Sequence, residues 1–195
     1  MDKVPTRQLI IEAVLDCIEK YGIDKLTTRK IAEEAGTNIA SINYHFRTKD
    51  DLVAEALSMS INHMMEDVFA AIDNRQQPFR EILTEVFFYL IDGGFRFPGI
   101  TTAHLYNAVT QNHYDSPGAV AINKVFDRLA ARATEEYPHK DPDEVHFLLS
   151  QVVSSILFTM LVPGFFPVAG QFRLTSSENC QRLAQRYAAV FFQSV

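Results

Sequence analysis

Apolar residues recur at helical spacing along most of the chain, and no stretch of useful length alternates as a strand would. Leu9, Ile10, Ala13, Val14, Cys17, Ile18 and Tyr21 form a first stripe, opened at Pro5–Thr6 and ended by Gly22. Ile31, Ala32 and Ala35 give a second, short apolar face, which Gly36 closes with its permissive backbone. Asn38 is suited to cap a third helix carrying Ile39, Ile42 and Phe46. Thr48 caps a fourth, with Asp50 and Asp51 in the first turn, where the helix dipole favours negative charge. That helix runs toward Asn74 with Leu52, Ala56, Leu57, Ile61, Met64, Met65, Val68, Phe69 and Ile72 apolar. A polar break ending at Pro78 precedes a helix to about Asp92, closed by Gly93 and Gly94. A loop over 95–99 leads to a helix from Ile100 to about Gln111, and a turn at Asp115–Gly118 to one from Ala119 to Tyr137. Asp141 to about Val162 is long and mostly apolar, and the stretch Pro163–Pro167 breaks it. A loop to Thr175 precedes the last helix, Ser176–Val195, capped by Ser176 or Ser177. The pattern predicts an all-α fold, with a three-helix helix-turn-helix domain over residues 1–50 and a larger C-terminal helical bundle over 51–195.

The short helices over 26–52 cannot bury enough surface to stand alone and must pack on their neighbours. As one more corner of a helical bundle they need no particular polar residues. The residues present are those a DNA reader uses. Thr27, Thr28, Tyr44, His45 and Lys49 offer hydroxyl, imidazole and ammonium donors suited to phosphates. The helix after the turn presents Ile39, Ala40, Ser41 and Asn43, which are small enough to enter a major groove. Asn43 is suited to a bidentate contact with adenine, and Arg29, from the helix before the turn, to a guanine edge.

The run LTTRKIAEEAG followed by YHFRTKDDL resembles the DNA-binding signature of the TetR family of transcriptional regulators. Leu26, Thr27, Arg29, Ile31, Ala32, Ala35, Gly36, His45, Phe46, Lys49 and Leu52 carry the resemblance, which covers about the first quarter of the chain. Ala40 stands where the family often has glycine and Asn43 where it often has tyrosine, which bears on base preference rather than fold. The resemblance implies a dimer, a small-molecule inducer site in the body, and signal transmission along the fourth helix to the DNA readers. Tilting of that helix by ligand would change the separation of the two readers.

A net charge of −6 is awkward for a DNA binder, but it is unevenly distributed. Residues 1–50 carry eight Lys/Arg and eight Asp/Glu, while 51–195 carry ten against sixteen. A local cationic patch can hold phosphates without a basic protein overall, and an acidic remainder discourages binding to random DNA and to membranes. No window approaches 18 uninterrupted apolar residues, and the start MDKVPTRQ has no apolar signal region, so a cytoplasmic protein without a membrane partner is expected. Cys17 and Cys180, far apart in helical patterns, read as two buried thiols or, less simply, as a disulfide pair.

Fifteen Phe and seven Tyr with no Trp make the chain aromatic-rich, and many of them lie between residues 79 and 172. A pocket lined by Phe87, Phe88, Phe126, Phe147 and Phe158, with His104, Asn107 and Gln151 to orient a ligand, would suit an apolar or aromatic inducer. Ordinary core packing is the better account of any one of these Phe. The last two helices, ending in an apolar run, read either as a two-fold homodimer interface or as partners within one chain. A dimer sets two reader helices about one DNA turn or a multiple apart, hence a palindromic operator. Six scattered His form no metal spacing, and no nucleophile elbow or P-loop occurs, so neither an enzyme nor a cofactor is expected. The expected function is ligand-responsive, sequence-specific DNA binding, with a repressor as its form. The alternative is a helical protein-interaction module, which would show no salt-dependent DNA affinity.

Overall fold

The computed structural model describes residues 6–163 and 176–194. Pro5 at the expected start of the first helix, the break and loop over 164–175, and the final Val195 lie outside the described residues. Among the described residues there are nine α-helices, one 3-10 turn and no strand. They run α1 (Thr6–Tyr21), the 3-10 turn (Ile23–Lys25), α2 (Thr28–Glu34), α3 (Ile39–His45), α4 (Lys49–Asp73) and α5 (Phe79–Arg96). Then come α6 (Pro98–Gln111), α7 (Pro117–Glu136), α8 (Pro142–Leu161) and α9 (Ser177–Ser194). Close contacts divide the described chain into two compact units: residues up to His63 with Gly99–Ala119, and Met64–Pro98 with the residues from Val120 onward.

In the first unit α1, α2 and α3 pack on one another around Ile10, Val14, Cys17, Ile18, Ile31 and Ile42, all at most 2% exposed. Leu52, Ala56 and Leu57 of α4 and Ala103 of α6 complete the same core. Two members of the expected α1 stripe, Leu9 and Tyr21, are instead exposed; the Lys30 ammonium lies 4.5 Å from the centre of the Tyr21 ring. The start of α6 is fixed to α1 by one side chain. Glu19 accepts from the Gly99 amide at 3.2 Å through one carboxylate oxygen and from the Ile100 amide at 3.1 Å through the other. Those amides are first-turn donors with no partner inside the helix, so an anionic acceptor there satisfies both bonding and dipole.

In the second unit α5 packs along α9 and α8, and α8 along α9. Phe79, Phe87 and Phe191 are fully buried, with Phe79 edge-on to Phe191 at 6.1 Å. Each such side chain stabilises the fold by about 1.5–3 kcal/mol through burial. Cys17 and Cys180 are both free and buried, and burial pushes the Cys180 thiol up to about 11. Arg128 pairs with Asp73 at 2.8 Å, and Arg75 with Glu135.

Three boundaries differ from the expected ones, each for a packing reason. Gly93 and Gly94 do not close α5, which continues to Arg96. A Cβ on Gly94 would lie 2.8 Å from Met160 Cγ, so that glycine admits a neighbouring helix. The expected loop over 95–99 shrinks to Phe97, because Pro98 opens α6 with Glu19 supplying the acceptors. Pro117 and Gly118 belong to the first turn of α7, where a missing amide costs nothing. α8 is long and apolar enough to cross a membrane by length and composition, with a mean hydropathy of 1.5 in its best window. That property is shared by core helices of soluble proteins, and Val145, Leu149, Val152, Val153, Ile156 and Met160 form its buried side.

Candidate nucleic-acid interface

The turn between α2 and α3 is built by backbone bonds that require glycine. The Thr37 amide donates to the Ala32 carbonyl at 2.9 Å and the Gly36 amide to the Glu33 carbonyl at 3.3 Å. This pair closes a Schellman motif, and Gly36 takes φ of 61°, in the left-handed region. Asn38 then caps α3, its side-chain oxygen accepting from the Ser41 amide at 2.8 Å. Thr27 caps α2 by accepting from the Lys30 amide at 3.3 Å, and Thr48 caps α4 by accepting from the Asp51 amide at 3.0 Å. Ile42 and Phe46 turn inward, at 2% and 5% exposure, which fixes the rotation of α3 and turns its other residues outward.

The outward residues are Ile39, Ala40, Asn43 and Tyr44, with Ser41 and His45 half-buried. Tyr44 is 85% exposed, more than any other large hydrophobic side chain recorded, and its ring meets His45 edge-on at 5.1 Å. Exposed Arg47 lies between α3 and α4, and the stretch from Ala35 to Lys49 contains no Asp or Glu. Lys49 reaches back across the turn to the Leu26 carbonyl, but only at 3.4 Å, a bond at the weak limit that leaves its ammonium available. Arg29 is exposed and paired along its own helix with Glu33 at 3.0 Å, an exchangeable surface contact. Arg7 binds Glu55 and stacks 5.0 Å from the Phe46 ring centre, bracing α1 against α3 and α4.

Thr27, Thr28, Arg29, Ile39, Ala40, Ser41, Asn43, Tyr44, His45 and Lys49 thus lie at the start of α2, on α3 and at the start of α4, within a single unit. Arg47 is an exposed cation between α3 and α4 that does not figure among the expected contacts; its position just before the Thr48 cap was its signal. The residues expected to hold an inducer are dispersed. Phe87 is fully buried in the second unit, while Phe147 and Phe158 are 61% and 43% exposed on α8. Phe88 and Phe126 are half-buried, Phe126 beside the His146 ring at 6.1 Å. Gln151 lines a hollow of about 220 Å³ between α8 and α9. His104 and Asn107 line a different cavity, of about 430 Å³, entirely within the first unit. Its other walls come from segments far apart in sequence, so no local pattern could have found it. Among the described residues no group of His, Cys, Asp and Glu is placed to hold a metal ion.

Comparisons with known proteins agree with this geometry. A family model described as bacterial regulatory proteins of the tetR family matches residues 10–56. The chain is 42% identical over 57 residues to the tetracycline repressor protein class A from transposon 1721 of Escherichia coli, a match spanning 28% of this chain and only 26% of that one. It is 27% identical over 148 residues to the HTH-type transcriptional regulator BetI of Cronobacter sakazakii, covering 72% of this chain and 71% of that one. The fold matches that of a tetR-family regulator from Streptomyces coelicolor, with a TM-score of 0.68 at 17% identity over 100% of this chain and 83% of the other. It also matches FadR from Bacillus subtilis, solved with stearoyl-CoA, with a TM-score of 0.69 at 15% identity over 96% and 98% of the two chains.

Proposed function

We propose that this chain, whose residues 10–56 match the model of the tetR family of bacterial regulatory proteins, is a ligand-responsive repressor of transcription acting in the cytoplasm. It binds a palindromic DNA operator as a dimer, and a small molecule releases it. The observation that carries this reading is the outward face of α3 and its flanks, which presents Ala40, Ser41, Asn43 and Tyr44, is rimmed by Arg47 and Lys49, and is free of carboxylates from Ala35 to Lys49.

The DNA contacts lie within residues 1–50, and ligand response and dimerisation within 51–195. Thr27, Thr28, Tyr44, His45 and Lys49 hold phosphates and set the register. Ile39, Ala40, Ser41 and Asn43 meet base edges, and Arg29 joins them once DNA draws it from Glu33. The dimer forms through α8 and α9, whose outward Phe147, Phe158 and Val190 are apolar and exposed. α4, which begins in the first unit and ends in the second, carries the ligand signal to the readers.

Fluorescence anisotropy across a salt series, against DNA from upstream of the protein's own gene and an unrelated fragment, tests the reading. Specific binding that weakens steeply with salt is expected. Lys49→Ala should weaken binding to every sequence alike, whereas Asn43→Ala should relax preference at one base pair, by about 1–3 kcal/mol. Binding that ignores salt would refute the DNA reading and favour a protein-interaction module.

A further inference from the structure

The cavity of about 430 Å³ in the first unit lies between the start of α4, the 3-10 turn after α1, α6 and the start of α7. Its size falls within the range of small-molecule sites. Its walls are apolar at Leu26, Val53, Leu57 and Ala103, with hydrogen-bonding groups at His104 and Asn107. His104 Nδ1 is buried with no hydrogen-bond partner among the described residues. An orphaned buried ring nitrogen carries a cost that a partner would remove. The backbone at His104 is backed by the start of α7: a Cβ on Gly118 would lie 2.5 Å from the His104 carbonyl oxygen, so the two backbones are already in contact.

We propose that this cavity is an effector site for an uncharged small molecule with an apolar ring body and a carboxamide-like head, the head bonding His104 Nδ1 and Asn107. The proposal rests on the regulator reading and extends its ligand response, assigned above to 51–195, to a site beside the DNA readers whose walls include Leu26, Lys49 and Asp50. A carboxamide both donates and accepts, so it satisfies the imidazole in either tautomer. Burial holds that imidazole neutral, with a pKa of about 4, so it gives a carboxylate no countercharge. Lys49 and Asp50 line the same cavity and oppose each other in sign. Occupancy acts on the reader directly. Lys49 lines the cavity, and so does Tyr106, whose phenol bonds Asp24 in the 3-10 turn.

The test uses 2-naphthamide as probe and 2-naphthoate, its anionic counterpart, as contrast, followed by NMR on the full-length protein. Binding of 2-naphthamide should shift the His104 ring resonances and be at least tenfold weaker in His104→Phe. Ala54→Trp, which places an indole at the cavity wall from an exposed position on α4, should weaken the probe as much while leaving operator affinity intact. In the wild type, saturating 2-naphthamide should lower operator affinity at least fivefold, and in Ala54→Trp it should not. Unshifted His104 resonances, equal binding in both variants, or tighter binding of 2-naphthoate would overturn the proposed site and its ligand class. Probe binding that leaves operator affinity unchanged would overturn the effector role. The NMR arm needs no DNA, so a protein that binds no operator at all refutes the regulator reading separately.

Discussion

Gly118 and Gly94 both sit inside helices, yet a methyl group would meet different surroundings at each. On Gly118 it would lie 2.5 Å from the His104 carbonyl oxygen and 2.6 Å from its Cβ, atoms tied to the backbone. On Gly94 it would meet the Met160 side chain, which can rotate away. Gly118→Ala should therefore cost about 1–3 kcal/mol in urea denaturation. Gly94→Ala should cost less, because alanine's helix propensity offsets part of the clash by about 1 kcal/mol. A sequence reading sees both glycines as helix breakers, since the neighbour that demands each is distant in the chain. Gly36 was legible because its role is local: the six residues from Ala32 to Thr37 and a left-handed backbone suffice. His104 adds a pH signature. Burial lowers its pKa to about 4 from 6.5, so between those values the unfolded chain holds more protons than the folded one. Stability should fall as pH drops through that window, by at most about 3 kcal/mol. Denaturation midpoints at several pH values should show a flatter profile in His104→Phe.

At the scale of elements, the caps explain why the reader was legible from sequence. Asn38 and Thr48 act on amides three residues ahead, within reach of a pattern reading. Replacing either by alanine should cost about 1 kcal/mol, seen as a lower thermal midpoint. Glu19 performs the same task for α6 from 80 residues away, and nothing in its own neighbourhood announces it. Glu19→Ala should cost at least as much as loss of a local cap, because two amides lose a charged acceptor. Glu19→Gln should recover part of that difference. The inducer residues failed to gather for a related reason. Phenylalanines at helical spacing show which face is apolar, but not whether that face meets a cavity, a core or a second chain. Phe87 and Phe147 share that pattern and differ from 0% to 61% in exposure.

For the whole molecule, the exposed apolar residues of α8 and α9 offer the test of the dimer that the proposed function needs. Val190→Asp places a charge at a position 53% exposed within one chain, so a monomer tolerates it and an interface does not. Light scattering should show a dimer in the wild type and a monomer in the variant, with unchanged helix content by circular dichroism and much weaker operator binding. A variant that stays dimeric would place the interface elsewhere. The acidic excess beyond residue 50 follows the same division of labour, keeping phosphate attraction confined to the reader.

The first unit is discontinuous: it needs Gly99–Ala119 as well as the residues up to His63. Consider a hybrid in which the reader is spliced to the sensor of another protein within α4. Here such a graft would deliver Glu19 without the amides it caps, and a core missing Ala103. A foreign sensor could adopt this reader only if it brought an α6 whose first turn fits Glu19. Exchange of sensors, by an engineer or by recombination, is therefore restricted by a carboxylate and a core contact that lie outside the DNA face.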